Sequence, residues 1–234
     1  MSLRQGARQF FERRGAPIGP TARDYVQNGL IAMWDGIENA EWGVHDANAT
    51  TWKDLVGERD FILYSVGVGD NHMVFGSNSY ATASPVFQSS DMMTLEVVME
   101  VKSATSIPCF MSFFAVGAYV GDMLWFSGGR LAWGISISQV RVESACAIQG
   151  SATWDLSTHS FVRPNEPYKD GRAITPTSNY DYYGASRTRG LAINPTTKWT
   201  FSGDIYSIRI YSSALTAAEI AANYAIDKAR FNLP

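Results

Sequence analysis

Glu96 and Glu100 are the acidic residues whose spacing first suggests chemistry, because glycosidic bonds are cleaved by paired carboxyl groups. They lie in a stretch, 93–102, where Leu95, Val97, Met99 and Val101 alternate with Thr94, Glu96, Val98, Glu100 and Lys102. That period-two pattern predicts a strand. Residues four apart on a strand are separated by about 13 Å, at roughly 3.3 Å per residue. Retaining hydrolases hold their carboxyls about 5–5.5 Å apart and inverting ones about 6.5–9.5 Å apart. Both glutamates therefore read as solvated strand residues. Ser, His and Asp are all present, but no GxSxG elbow, HExxH helix or Walker A loop occurs. The histidines are His45, His72 and His159, and the cysteines are Cys109 and Cys146, neither in a CxxC motif. This argues against structural zinc, and both cysteines read as free thiols. The expectation is a protein that is not an enzyme.

Binding chemistry is better represented. Trp42 stands beside His45 and Asp46, and Tyr180, Asp181, Tyr182 and Tyr183 form a second aromatic cluster. Both fall in expected loops, where ligand contacts concentrate, and such rings offer sugars a flat apolar face with a polar tip. Trp42, His45, Asp46, Tyr180, Tyr182 and Tyr183 are accordingly the candidate glycan-binding residues. Oxygen-bearing residues recur at Asp35, Glu38, Asn39, Asp46 and Asn48, so calcium is the one candidate cofactor, with Asp35, Asn39 and Asp46 as its weak ligands. No fixed ligand spacing accompanies them, and turn chemistry alone accounts for Asp35-Gly36. Trp34, Trp52, Trp125, Trp133 and Trp199 sit in or beside strands and read as core.

These groups must be positioned by 234 residues, of which 46% are hydrophobic and only 18% charged, below the usual quarter or so. That suits a single large β-sandwich. A net charge of -3 argues against an electrostatic grip on nucleic acid. With no apolar run of about 18 residues, no membrane-spanning helix is expected. Residues 1–24 read as a basic arm, with Arg4, Arg8, Arg13 and Arg14 against Glu12 and a hinge at Gly19-Pro20; residues 25–234 read as the sandwich domain. The arm lacks the 7–15-residue apolar stretch of a secretory signal, so general export is not expected. About eleven short strands follow. Gly128-Gly129 predicts a hairpin turn. Phe110–Val116 reads as a central strand, and Val140–Ile148 as one strand. In Phe201–Tyr211, Tyr206, Ile208 and Ile210 share a face. Only the C-terminus is helical: Thr216 with Glu219 makes a capping box, and the helix runs to about Arg230. Its apolar stripe holds Ile220 and Tyr224, with Ala221 and Ala225 beside them. Asp227, Lys228 and Arg230 are solvated, and Phe231 and Leu233 tuck its end onto the sandwich. These elements predict an all-β fold of two antiparallel sheets with a C-terminal α-helix.

Three stretches, Gly29–Gly36 (GLIAMWDG), Thr51–Gly57 (TWKDLVG) and Gly203–Ile220 (GDIYSIRIYSSALTAAEI), resemble the laminin-G-like, concanavalin A-like lectin/glucanase superfamily. Asn78-Ser79-Tyr80 and the expected hairpin at Tyr168-Lys169-Asp170-Gly171 also fit. The likeness covers about residues 25–233. It implies a jelly-roll sandwich whose loops or concave face serve ligands. By analogy with stand-alone domains of this kind it also implies a non-catalytic bacteriophage virion component: capsid decoration, head fibre or tail. Residues 1–20 would then contact other virion or surface proteins, and the sandwich would present a glycan-binding surface, with homo-oligomerisation as a further expectation. The alternative is a carbohydrate-binding module of a bacterial surface or secreted protein, and a glycoside hydrolase comes last. The motif residues themselves do no chemistry and report the fold.

Overall fold

The structure is a computed structural model that describes residues 19–87, 94–104, 109–114, 122–127, 130–133, 140–141, 146–151, 153–155, 160–162, 167–169, 172–173, 189–194, 201–213 and 215–233. Within these are β1 (Leu30–Asp35), β2 (Thr51–Trp52), β3 (Phe61–Tyr64), β4 (Gly67–Val68), β5 (Met73–Phe75), β6 (Tyr80–Phe87), β7 (Thr94–Ala104), β8 (Cys109–Phe114) and β9 (Asp122–Ser127). They continue with β10 (Arg130–Trp133), β11 (Val140–Arg141), β12 (Cys146–Ser151), β13 (Thr153–Asp155), β14 (Ser160–Val162), β15 (Pro167–Lys169), β16 (Arg172–Ala173), β17 (Arg189–Ile193) and β18 (Phe201–Tyr211), and end with α1 (Ala217–Phe231).

Two antiparallel sheets form a sandwich. The first runs β16-β15-β12-β7-β18-β5-β4, and β1 joins it alongside β18. β18 pairs with β7 along one side; its other side is shared end to end by β1, opposite Ser207–Tyr211, and β5, opposite Gly203–Ile205. The second sheet runs β11-β10-β9-β8-β17-β6-β3-β2. The expected hairpins are present as β9–β10, closing at Ser127 and Arg130, and β15–β16, closing at Lys169 and Arg172. The stretch read as one strand at 140–148 is instead two: β11 ends one sheet and β12 lies inside the other.

Alternation sends Leu95, Val97 and Met99 of β7, Ile205, Ile208 and Ile210 of β18 and Trp34 of β1 into the interior, all buried. They face Trp52 and Phe61 of the second sheet. The Trp34 ring lies 4.7 Å from Phe61 between centroids, and Trp52 lies 6.2 Å from it. The core reading of Trp34 and Trp52 is correct. Tyr206 does not share a face with Ile208 and Ile210 as expected. A bulge between Ile205 and Ser207 shifts the phase of β18, so Tyr206 leaves the interior face and meets Phe231 of α1, 5.5 Å between centroids.

α1 is started as the sequence predicts. Thr216 Oγ1 accepts from Glu219 N at 3.3 Å, and Glu219 Oε2 accepts from Thr216 N at 2.8 Å. Asn232 ends the helix in the left-handed conformation and donates its N–H to Lys228 O. Thr216→Ala should lower stability by about 1 kcal/mol, read by urea unfolding. The helix covers the outer face of the first sheet. Its buried stripe is Ile220, Asn223, Asp227 and Phe231, at helical spacing, whereas Ala221 and Ala225 are exposed. Ile220 joins a cluster with Ala22, Tyr25, Leu30, Met33, Leu55, Tyr211 and Leu215. Because Ala22 is fully buried there, packing begins inside the segment assigned to the arm. Arm residues 1–18 lie outside the described residues.

Candidate functional site

The loop between β1 and β2 carries the first group of candidates. Asn39 is its clasp: Nδ2 donates to Asp46 O at 2.8 Å, and Oδ1 accepts from Asp46 N at 2.7 Å. Asp46 Oδ1 accepts from Asn48 N, an Asx turn, and His45 Nδ1 lies 3.2 Å from Ile37 O. Trp42 is half-buried against the helix-side cluster, and the Arg23 guanidinium covers its ring 4.3 Å from the centroid. One face of the indole is thus already occupied by a cation–π contact. His45 and Asp46 are exposed. Tyr180, Tyr182 and Tyr183 lie outside the described residues.

Two of the calcium candidates, Asp35 and Asn39, have partners within the chain. Asp35 Oδ1 accepts from Ile37 N and Glu38 N and holds the Arg230 guanidinium at 2.8 Å, so a cation is already installed. Asn39 spends its carbonyl oxygen on Asp46 N. Among the described residues no group of three or more His, Cys, Asp or Glu side chains could hold a metal.

Glu96 and Asp227, read as solvated, are fully buried between α1 and the first sheet. Arg230 is nearly so, its side chain only 3% exposed. Arg209 organises the group. Its Nε meets Glu96 Oε2 at 2.7 Å, and Nη1 and Nη2 grip Asp227 Oδ1 and Oδ2 at 2.8 and 2.7 Å, a bidentate pair. The same guanidinium lies over the Tyr25 ring, 4.0 Å from its centroid, while Tyr25 OH donates to Asp227 Oδ1 at 2.7 Å. Asn223 Nδ2 donates to Glu96 Oε2 and to Tyr211 OH, both at 2.9 Å. Strand alternation does point Glu96 away from the core, but α1 closes the face it points to.

One guanidinium serving two carboxylates leaves excess negative charge. Burial, reinforced by Asp227 and opposed by Arg209, raises the Glu96 carboxyl above its ordinary range. The folded state therefore holds that proton more tightly than the unfolded chain. This contribution is fully present below the ordinary glutamate value of 4.5 and is lost as pH rises through the folded value. Glu96→Gln removes it. The stability of the variant relative to wild type should rise between pH 4 and pH 7, measured by urea unfolding at each pH. A relative stability that falls over this interval would refute the assignment.

The outer face of the second sheet is differently built. On β3 and β6, Phe61 pairs with Ala83 and Leu63 with Ala81 toward the core, so Ile62, paired with Thr82, and Tyr64, paired with Tyr80, point outward. Thr51 of β2 lies beside Ile62 on that face. Ile62 is 51% exposed, Tyr64 39% and Tyr80 40%. The two tyrosine rings stack at 4.4 Å between centroids and 9° between planes. Thr50 O accepts from Leu63 N at 3.0 Å, which places the end of the Asp46–Thr50 loop along the same edge. Neither tyrosine belongs to the aromatic clusters expected to bind. The available signal was the unbroken run Phe61-Ile62-Leu63-Tyr64, which puts large apolar residues on both faces of a strand.

No protein-family model matches the chain, and no curated protein matches it. Solved structures do. Trypanosoma rangeli sialidase in complex with sialic acid aligns at TM-score 0.59 and 13% identity, over 86% of this chain and 33% of that one. Domain 4 of AbnA, a GH43 extracellular arabinanase from Geobacillus stearothermophilus, in complex with arabinotriose, aligns at TM-score 0.59 and 16% identity, over 84% of this chain and 98% of that one. The binding domain of botulinum neurotoxin serotype D/C VPI 5993 aligns at TM-score 0.59 and 8% identity, over 84% and 52%. The chain spans about a third of the sialidase's length. At these identities the likeness shows a shared β-sandwich fold.

Proposed function

We propose that the chain is a non-catalytic carbohydrate-recognition module. One observation carries the reading: α1 and the segment before β1 close one outer face of the sandwich, while the other presents ordered, half-exposed aromatic side chains. The arginine-committed state of Glu96, Asp227 and Asp35 supports holding over hydrolysis, because a general acid or base must reach the reacting atoms. The complex of the arabinanase domain with arabinotriose supports the same class of ligand. A glycan array with the purified chain tests the reading. Retention of oligosaccharides without release of shorter products is expected, and hydrolysis would overturn the non-catalytic part.

The finer reading is a laminin-G-like component of a bacteriophage virion, such as a capsid decoration, head fibre or tail protein. It rests on the stretch Gly203–Ile220 and on the basic arm at residues 1–20, which would attach the module to other virion proteins. Many copies on a particle would multiply weak single-site binding. Mass spectrometry of purified particles should find the chain, and its absence from them would end this reading. The coverage of 98% of an arabinanase domain favours a second reading, a carbohydrate-binding module of a bacterial surface or secreted protein.

A further inference from the structure

We propose that Tyr64, Tyr80 and Ile62 form the seat for an uncharged oligosaccharide on the outer face of the second sheet, an inference that rests on the carbohydrate reading above. The three side chains are contiguous across β3 and β6, and the tyrosine stack fixes both rings before any ligand arrives. Each ring turns one face to its neighbour and keeps the other face for the apolar C–H side of a sugar. Neither phenol hydroxyl has a hydrogen-bond partner among the described residues, so both are ready to bond ligand hydroxyls.

Size selects the class of occupant. With 51%, 39% and 40% of these residues open, the described patch offers on the order of 250 Å², taking about 200 Å² for a large side chain. A stable protein interface needs about 800 Å² per partner, whereas one or two sugar rings are covered by a patch of this size. Charge selects the kind of sugar. Among the described residues, Thr51, Thr82 and Ala192 neighbour it on this face. Lys53 and Asp60, beside the far end of the β2–β3 pairing, hold each other at 2.6 Å. Nothing described here would offset the carboxylate of a sialic or uronic acid, so the site favours neutral glycans.

The test is binding by the full chain to immobilised neutral oligosaccharides, arabinotriose among them, and to sialylated and uronate-containing ones, at low and high salt. Tyr64→Ala and Tyr80→Ala should each weaken neutral-glycan binding at least tenfold with the unfolding midpoint retained. Tyr64→Phe, which keeps the stack, should lose less than Tyr64→Ala. Lys102→Ala, on the outer face of the other sheet, should change nothing. Binding should vary little with salt, as expected for an uncharged ligand. Glycan binding that survives both alanine variants overturns the site but leaves the carbohydrate reading standing. Salt-sensitive preference for acidic glycans overturns the neutral class. Failure to retain any glycan overturns both. Concentration-dependent self-association abolished by Tyr64→Ser would make a second copy of the chain the occupant, and also overturns the proposal.

Discussion

Replacing Arg209 by methionine is expected to lower stability by about 3–5 kcal/mol at pH 7, the range for breaking a buried ion pair from one side. Glu96 and Asp227 would be left charged, fully buried and without their cation. Tyr25, whose ring lies under the guanidinium, would lose its contact too. A bland loss of packing and the loss of a buried charge differ in pH dependence. Unpaired buried carboxyls hold protons more tightly than they do in the unfolded chain, so stability falls as pH rises above the ordinary carboxylate range. The deficit of Arg209→Met should therefore be larger at pH 7 than at pH 4. Adding Glu96→Gln and Asp227→Asn to the same chain should recover part of it, because the neutral amides need no cation. Urea unfolding of the wild type, the single variant and the triple variant at both pH values gives the comparison. A pH-independent deficit would mean that Arg209 acts mainly by filling space. Arg209→Lys should rescue poorly, since one ammonium cannot reproduce the fork that holds Glu96 and both oxygens of Asp227.

Trp34→Ala is expected to cost about 3–5 kcal/mol, the usual penalty for emptying a buried aromatic site. Trp34 belongs to the first sheet, is fully buried, and reaches Phe61 of the second. Its indole Nε1 also donates to Arg59 O at 3.0 Å, tying the loop after β2 to β1. Trp34→Phe keeps much of the volume and removes this donor, so it should cost clearly less than the alanine variant. Thermal unfolding followed by near-ultraviolet circular dichroism measures both. Equal destabilisation by the two would place the main contribution in the hydrogen bond instead of the ring.

Local chemistry was legible in the sequence. The capping box at Thr216 and Glu219 needs only four residues to be recognised, and it starts α1 where expected. The inward set of β7, the β9–β10 hairpin and the burial of Trp34 and Trp52 follow from alternation and turn residues, whereas the β15–β16 hairpin was implied by the family resemblance. What could not be read depends on partners far along the chain. Glu96 alternates as a solvent-facing residue should, and only the arrival of α1, some 120 residues later, makes its position interior. For the same reason Asp227 looked like a wet helix face, although its spacing from Ile220, Asn223 and Phe231 places all four on one stripe. The bulge at Tyr206 has no local signal; its neighbours Ile205 and Ile208 both face inward because one extra residue was inserted between them and the β7 register. The tyrosine pair escaped because its two rings are 16 positions apart and meet only through the pairing of β3 with β6.

The entry and exit of the folded unit are close neighbours: Arg230 Nη1 donates to Pro20 O at 3.3 Å, on the side of the sandwich that α1 occupies. Pro20 and the end of α1 thus lie together on the face opposite Tyr64 and Tyr80. A carrier could hold the unit by one stalk or accept it as a cassette spliced into a surface loop, and in either mounting the tyrosine side would point outward.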